Sequence, residues 1–333
     1  VKLTQMLPVW LAALLIAAGA VPAAADPYPT KPVNLMVPYP AGGSSDVIAR
    51  VIHTPLSRLL GQPVLVENLG GAGGAIGAQK VLNAPADGYY LFQGSSNETI
   101  LVPLANAAIR YKSDDFRLIQ MIGVAPMVLM ARKDLPANTM DELIALARSA
   151  SAQRKPLTFG SVGYGSLYHM LGEHLAERLG VTMTHVPYKG GAPLMQDLGA
   201  GTIDFMLAPI QQQLIGMTES GRLKIIGTLS PAGKTQVAML RNFPSVNESK
   251  GLNDFSFDLW HGYFVRKDTP EDVVQRLHAA LHTVLADPAV RSQLETQGLM
   301  VAPLTTLAEA SRGYGAETMR LRAIASAIKL EAK

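Results

Sequence analysis

The sequence predicts an α/β protein of two lobes, each built on a mainly parallel sheet, with strands crossing between them. Short β-branched or apolar runs alternate with longer stretches of helical period, the pattern of a sheet covered by helices. A length of 333 residues suggests more than one domain. The absence of cysteine leaves hydrophobic burial to supply the stability, and excludes disulfides, thiolate metal sites and thiol nucleophiles.

The chain opens with Lys2, an apolar run from Leu11 to Ala18, and small residues through Ala23, Ala24 and Ala25 before Asp26. That order of basic, apolar and small-residue segments predicts a secretory signal, residues 1–25, cut after Ala25, and hence a periplasmic location. A spanning helix needs about 20 apolar residues, which this run does not reach. No cysteine follows it to carry a lipid.

Strands are expected at 33–37, 63–67, 90–93, 118–123, 127–132, 157–160, 182–186, 203–207, 223–228 and 259–265. Helices are expected at 46–60, 74–82, 140–150, 166–179, 193–198 and 210–220, with only helices from Pro270 onward. Two segments match: an apolar strand runs into Arg132-Lys133-Asp134 before Pro136, and another into Arg266-Lys267-Asp268 before Pro270. Taken as the two connections between lobes, they divide the chain into 27–126 plus 252–333 and the insertion 127–251.

Net charge is +3, falling to +2 without Lys2, and the basic residues are scattered, so nucleic acid is excluded as a partner. The chemistry lies in the loops that leave the strands, since ligands of open α/β sheets sit beyond the strands' carboxyl ends. After the first strand, Tyr39, Pro40, Ala41, Gly42, Gly43 and Ser44 combine rigid prolines, permissive glycines and a Ser/Asp helix start at Ser45 and Asp46. Exposed N–H groups and a helix N-terminus there favour an anion. A tight turn with an ordinary cap is the plainer reading of the same residues.

A second loop of the same kind holds Ser161, Gly163, Tyr164, Gly165 and Ser166, and a third holds Tyr188 and Lys189 before Gly190 and Gly191. Ser95, Ser96 and Asn97 offer neutral polar groups beyond the third strand. Tyr39, Tyr164 and Tyr188 are candidate aromatic walls. Trp260 stands either at the return hinge or in the core, and Lys189 either pairs an anion or is solvated.

Other motifs fail. The run from Gly70 to Gly77 puts Ile76 where a dinucleotide fingerprint needs its third glycine, and no phosphate-binding G-x-x-x-x-G-K-[ST] loop is present. There is no G-x-S-x-G elbow and no H-E-x-x-H pair. His278 with His282, and His169 with Glu173, have metal-ligand spacing but no third ligand. Hydrolysis through Ser44, Ser96 or Ser166 lacks a base placed by any motif. No cofactor, no metal and no catalysis is expected.

As a set, residues 37–46 (VPYPAGGSSD), 66–77 (VENLGGAGGAIG), 86–89 (ADGY), 185–190 (HVPYKG) and the 197–204 stretch resemble the periplasmic binding components of tripartite tricarboxylate transporters, the Bug family. The similarity covers about residues 28–301. It implies a type II periplasmic-binding-protein fold whose lobes close by a hinge on a small carboxylate, an amino acid or an aromatic acid. Backbone N–H groups of the loops at 40–44 and 161–166 would hold the ligand, with Asp204 added to the candidates above. It also implies delivery by a monomeric receptor to large and small membrane subunits, with a membrane sensor kinase as the rival destination. Ser44-Ser45 and Leu194 depart from the bulkier or Pro-containing pair and the smaller residue common in relatives.

Overall fold

The computed structural model describes residues 28–233 and 237–327. The expected export signal, from Lys2 to the cut after Ala25, lies outside them. The strands are β1 (Val33–Val37), β2 (Val64–Asn68), β3 (Tyr90–Ser95), β4 (Phe116–Arg132), β5 (Thr158–Ser161), β6 (Thr184–Pro187), β7 (Phe205–Pro209), β8 (Leu223–Thr228), β9 (Asp258–Arg266) and β10 (Met300–Val301). The helices are α1 (Ser44–Leu60), α2 (Ala75–Asn83), α3 (Val102–Ala105), α4 (Met140–Ala152), α5 (Leu167–Leu179), α6 (Gly191–Gly199), α7 (Gln212–Glu219), α8 (Glu271–Ala286), α9 (Pro288–Thr296) and α10 (Leu307–Ala327). A π-helical turn, Asn97–Leu101, joins β3 to α3.

The strands lie in the order β2-β1-β3-β9-β4-β7-β5-β6, with β8 and β10 also paired to β4. Pairing is parallel for β1 with β2 and β3, and for β5 with β6 and β7, where helices make the crossovers. Every antiparallel pairing involves β4 or β9, so the sheet is mixed rather than mainly parallel.

β4 is one strand where the sequence suggests two, and it serves two half-sheets. Its first part pairs β9 as far as Pro126, and from Met127 it pairs β7 and β8. A proline cannot donate to a ladder, and Pro126 falls where the strand changes partners. The chain returns at Phe257, whose N–H donates to Leu229 O at 3.0 Å, just before β9.

The matching Arg-Lys-Asp segments are therefore not the connections between halves. Each is a strand-to-helix turn within one half, β4 to α4 and β9 to α8, closed by an Arg132–Asp134 or Arg266–Asp268 pair at 2.8 Å. Like turn chemistry made the sequences alike.

Amphipathic spacing explains the packing. Ile48, Ile52 and Leu56 recur on one face of α1 and are buried with Leu277 and Leu281 of α8 and with Val33 and Leu35 of β1. In the other half Phe159 and Phe205 stack at 5.9 Å, with Leu171 and Leu175 of α5 in the same core. Each such side chain contributes roughly 1.5–3 kcal/mol on burial, so the loops above the strands rest on rigid layers.

Candidate functional site

The segments beyond β1, β3, β5, β6 and β7 converge with the start of β9 on a cavity of about 30 Å³ between the half-sheets. It has room for about two waters by volume. Its walls touch around it. A Cβ added at Gly190 would lie 2.5 Å from Pro40 Cδ, and one at Gly163 would lie 2.7 Å from Gly73 N.

α1 aims its N-terminus at this cavity. Gly43 is the N-cap, no side chain caps the helix, and Gly43, Ser44 and Ser45 line the space. First-turn amides have no partner inside a helix, so these N–H groups and the positive dipole end are offered to a ligand. Gly42 N–H is already taken, donating to Asp46 Oδ2 at 2.9 Å, which also accepts from Arg50 Nε at 2.9 Å. Burial pushes the Asp46 carboxyl up, but the bonds from Arg50, Gly42 and Asn68 outweigh it and hold the pKa below the usual value.

Beyond β3 a polar network forms the floor. Tyr39 Oη donates to Gly73 O and accepts from Asn97 Nδ2, each at 3.2 Å. Ser95 donates from N and Oγ to Glu98 Oε2 at 2.6 and 2.8 Å. Glu98 is wholly buried, and burial raises its pKa against the lowering effect of the nearby Tyr39 hydroxyl and the bonds from Ser95. Ser96 is buried beside them but does not line the cavity.

The loop at 161–166 is built differently from the expected nest. Ser161 Oγ is 2.6 Å from His185 Nε2 and accepts from Gly163 N at 3.0 Å. Ser166 caps α5 by accepting from His169 N at 3.3 Å, and donates to Gly163 O at 2.7 Å. Leu167 N donates to Asn97 Oδ1 at 2.6 Å, so a side chain of the other half occupies this helix start. Only the flanking Val162 and Tyr168 reach the cavity. Gly163 and Gly165 face Gly73 and Ala105 instead, and Tyr164 is exposed, edge-on to His169 and His185.

The Ser161–His185 contact is not an activated nucleophile. Ser161 is wholly buried, and His185 Nδ1 has no protein partner to orient the ring. Burial lowers the His185 pKa to about 4, with the stacked His169 adding to the effect.

Of the residues singled out by sequence, Tyr39, Gly43, Ser44, Ser95 and Asn97 line the cavity. Pro40 instead wedges against Gly70 and Gly190, and Ala41 and Gly42 lie on the exposed side of the turn. Tyr188 donates to Asp197 at 2.7 Å and Lys189 is exposed. Asp204 stands at the opposite end of β7, accepting from Arg132 Nε at 2.9 Å and from Thr158 N at 2.8 Å. Trp260 packs with Phe264 and Tyr314 in the core.

The sequence reading passed over Gln211, Tyr168 and His261, and named Gly191 only as part of the third loop. Gln211 and Gly191 follow the carboxyl ends of β7 and β6, where the strand-end rule itself directs attention. His261 is a polar residue within an apolar strand, wholly buried, with Nε2 lacking any protein partner. Burial lowers its pKa to about 4, so the ring is neutral. Among the described residues no group of three or more His, Cys, Asp or Glu could hold a metal. No described helix is long and apolar enough to cross a membrane.

A family model described as "Tripartite tricarboxylate transporter family receptor" matches residues 48–313. An Agrobacterium vitis protein described as "UPF0065 protein in the TAR-I ttuE-ttuC' intergenic region" is 36% identical over 98% of this chain and 93% of its own length. The structure of the periplasmic binding protein BugD superposes with a TM-score of 0.83 at 29% identity, covering 92% of this chain and all of BugD. An R. palustris protein solved with adipate also gives 0.83, at 26% identity, over 92% of this chain and 100% of its own.

Proposed function

The chain belongs to the tripartite tricarboxylate transporter receptor family, and from that premise we propose that it is an exported periplasmic receptor that captures a small carboxylate by closing the cavity between its half-sheets. The fold is that of periplasmic binding proteins, and the family and its structural neighbours are binding proteins rather than enzymes. One observation carries the reading: the uncapped start of α1, at Gly43, Ser44 and Ser45, opens on the cavity beside the unpartnered imidazole of His261. Preorganised N–H groups in a dry site favour an anion without a formal positive charge.

The lobes in this reading are 27–126 with 252–333, and 127–251. Ligand pockets run to about 300–1,000 Å³, so the present cavity must open to admit an acid and close behind it. A monomer then presents the closed form to large and small membrane subunits. Calorimetry of the purified protein against mono-, di- and tricarboxylates, paired with small-angle scattering, tests this. Binding with a smaller radius of gyration than the open form is expected, whereas silence across the panel contradicts it.

A further inference from the structure

The cavity's walls differ in character. Most of its polar groups come from one half: Gly43, Ser44 and Ser45 at the start of α1, Ser95 and Asn97 after β3, and His261 on β9. They are contiguous, because Ser95 and His261 are register partners and Gln93 Nε2 donates to Ser45 O at 2.6 Å. The facing wall is mainly apolar, with Val162, Leu194, Met195, Met206 and Leu214, and its polar members are Tyr168, Gln211 and Gly191. No Lys, Arg, Asp or Glu lines the cavity among the described residues.

Leu194 fixes that wall. It is wholly buried, and it occupies space that a Cβ at Gly160 would need. Gln211 does little to soften the wall, since its Nε2 is spent on Met195 Sδ at 3.1 Å. Its other polar features are the start of α6 at Gly191 and the hydroxyl-bearing ring of Tyr168. Met195 and Met206 supply adaptable, polarisable surface suited to a ring or a chain.

We infer that this site selects a monocarboxylate with an apolar aryl or alkyl body, its acid held at the start of α1 and at His261, and discriminates against di- and tricarboxylates. The inference rests on the carboxylate-receptor reading above and narrows its ligand class. A second carboxylate carried across the cavity would sit mostly against side chains of leucine, methionine and valine, with only the Tyr168 hydroxyl and the Gly191 N–H as donors, and would lose more hydration than it regains. The apolar body of a monoacid gains from the same surface. His261 is then a specificity-determining residue, because its buried Nε2 has no partner within the protein and is satisfied by the ligand's carboxylate.

The test compares hexanoate with adipate, equal in carbon chain and different by one carboxylate, alongside benzoate, malate and citrate, by calorimetry on the purified protein at neutral pH. Hexanoate or benzoate should bind at least about 100-fold more tightly than adipate, the scale expected for an unpaired buried charge. His261→Leu should lose at least about 10-fold in monoacid affinity, while His261→Gln, which keeps a polar atom there, retains most of it. Adipate or malate binding as tightly as hexanoate overturns the inference and leaves the receptor reading intact, with the Gly191 corner taking the second acid. No binding by any acid overturns both. If the His261 variants do not fold, the hexanoate–adipate ratio of the unaltered protein still decides.

Discussion

Asn97→Ala should destabilise the protein far more than loss of one side chain from a loop would suggest. Asn97 is 1% exposed, accepts from Leu167 N at 2.6 Å through Oδ1 and donates to Tyr39 Oη at 3.2 Å through Nδ2. Truncation leaves the first amide of α5 as a buried donor without a partner, which costs about 1–3 kcal/mol. The longer bond to Tyr39 adds about 0.5–1.5 kcal/mol. The expected loss is about 2–4 kcal/mol, read from urea unfolding with the slope unchanged. Ser96→Ala is the control, because Ser96 is 2% exposed but its hydroxyl holds no neighbour among the described residues. A loss at Asn97 below about 0.5 kcal/mol, or no larger than at Ser96, would refute the view that Asn97 ties the two half-sheets by filling the start of α5.

Gly43→Ala separates binding from folding: its Cβ would meet only Pro40 O, at 3.8 Å, so the melting temperature should hold while acid affinity drops about tenfold or more; unchanged affinity removes Gly43 from the site. Gly163→Ala should do the reverse, because φ is +131° and the Cβ would strike backbone at Gly73 N, costing about 1–3 kcal/mol; an unaltered melt would contradict it. Acid should weaken the fold through its buried imidazoles. The His261 pKa drops from 6.5 to about 4 on folding, so the unfolded chain binds more protons between those values. Stability is full above about pH 6.5 and falls by about 3 kcal/mol towards pH 4, with His185 adding in the same direction. His261→Gln should flatten that part of the urea-midpoint profile, and parallel profiles for the two proteins would disprove the assignment.

The fold was legible where local signals and tertiary structure agree. β1 and β8 match their expected bounds, and α4 and α5 differ from theirs by a residue or two at the ends. The mistakes occur where long-range pairing decides. Pro126 reads as a break, yet β4 passes through it because the missing N–H coincides with the change of partners. No element is expected at 97–105, because its polar start conceals a helical segment, held by the Tyr111 hydroxyl donating to Glu98 O at 2.7 Å.

The site was half legible. Strand ends with glycines and prolines drew attention to Tyr39, Gly43 and Ser44, which line the cavity, since the chemistry there is local. The same reasoning put 163–166 at the ligand, and it could not foresee that Asn97, some 70 residues away, would satisfy that helix start. Asp204 carries a conspicuous charge but spends it on Arg132 and Thr158. His261 was hidden for the opposite reason: one polar residue in an apolar strand reads as a tolerated exception until the buried, unpartnered nitrogen is seen.

The most direct measurement is a crystal structure of the protein with a bound organic acid. The acid's carboxylate should lie within about 3 Å, hydrogen-bond distance, of the N–H groups of Gly43 to Ser45, with its body between Leu194 and Met206. A carboxylate found instead on the loop at 163–166, or outside the space between the half-sheets, would show that the start of α1 is not the binding site.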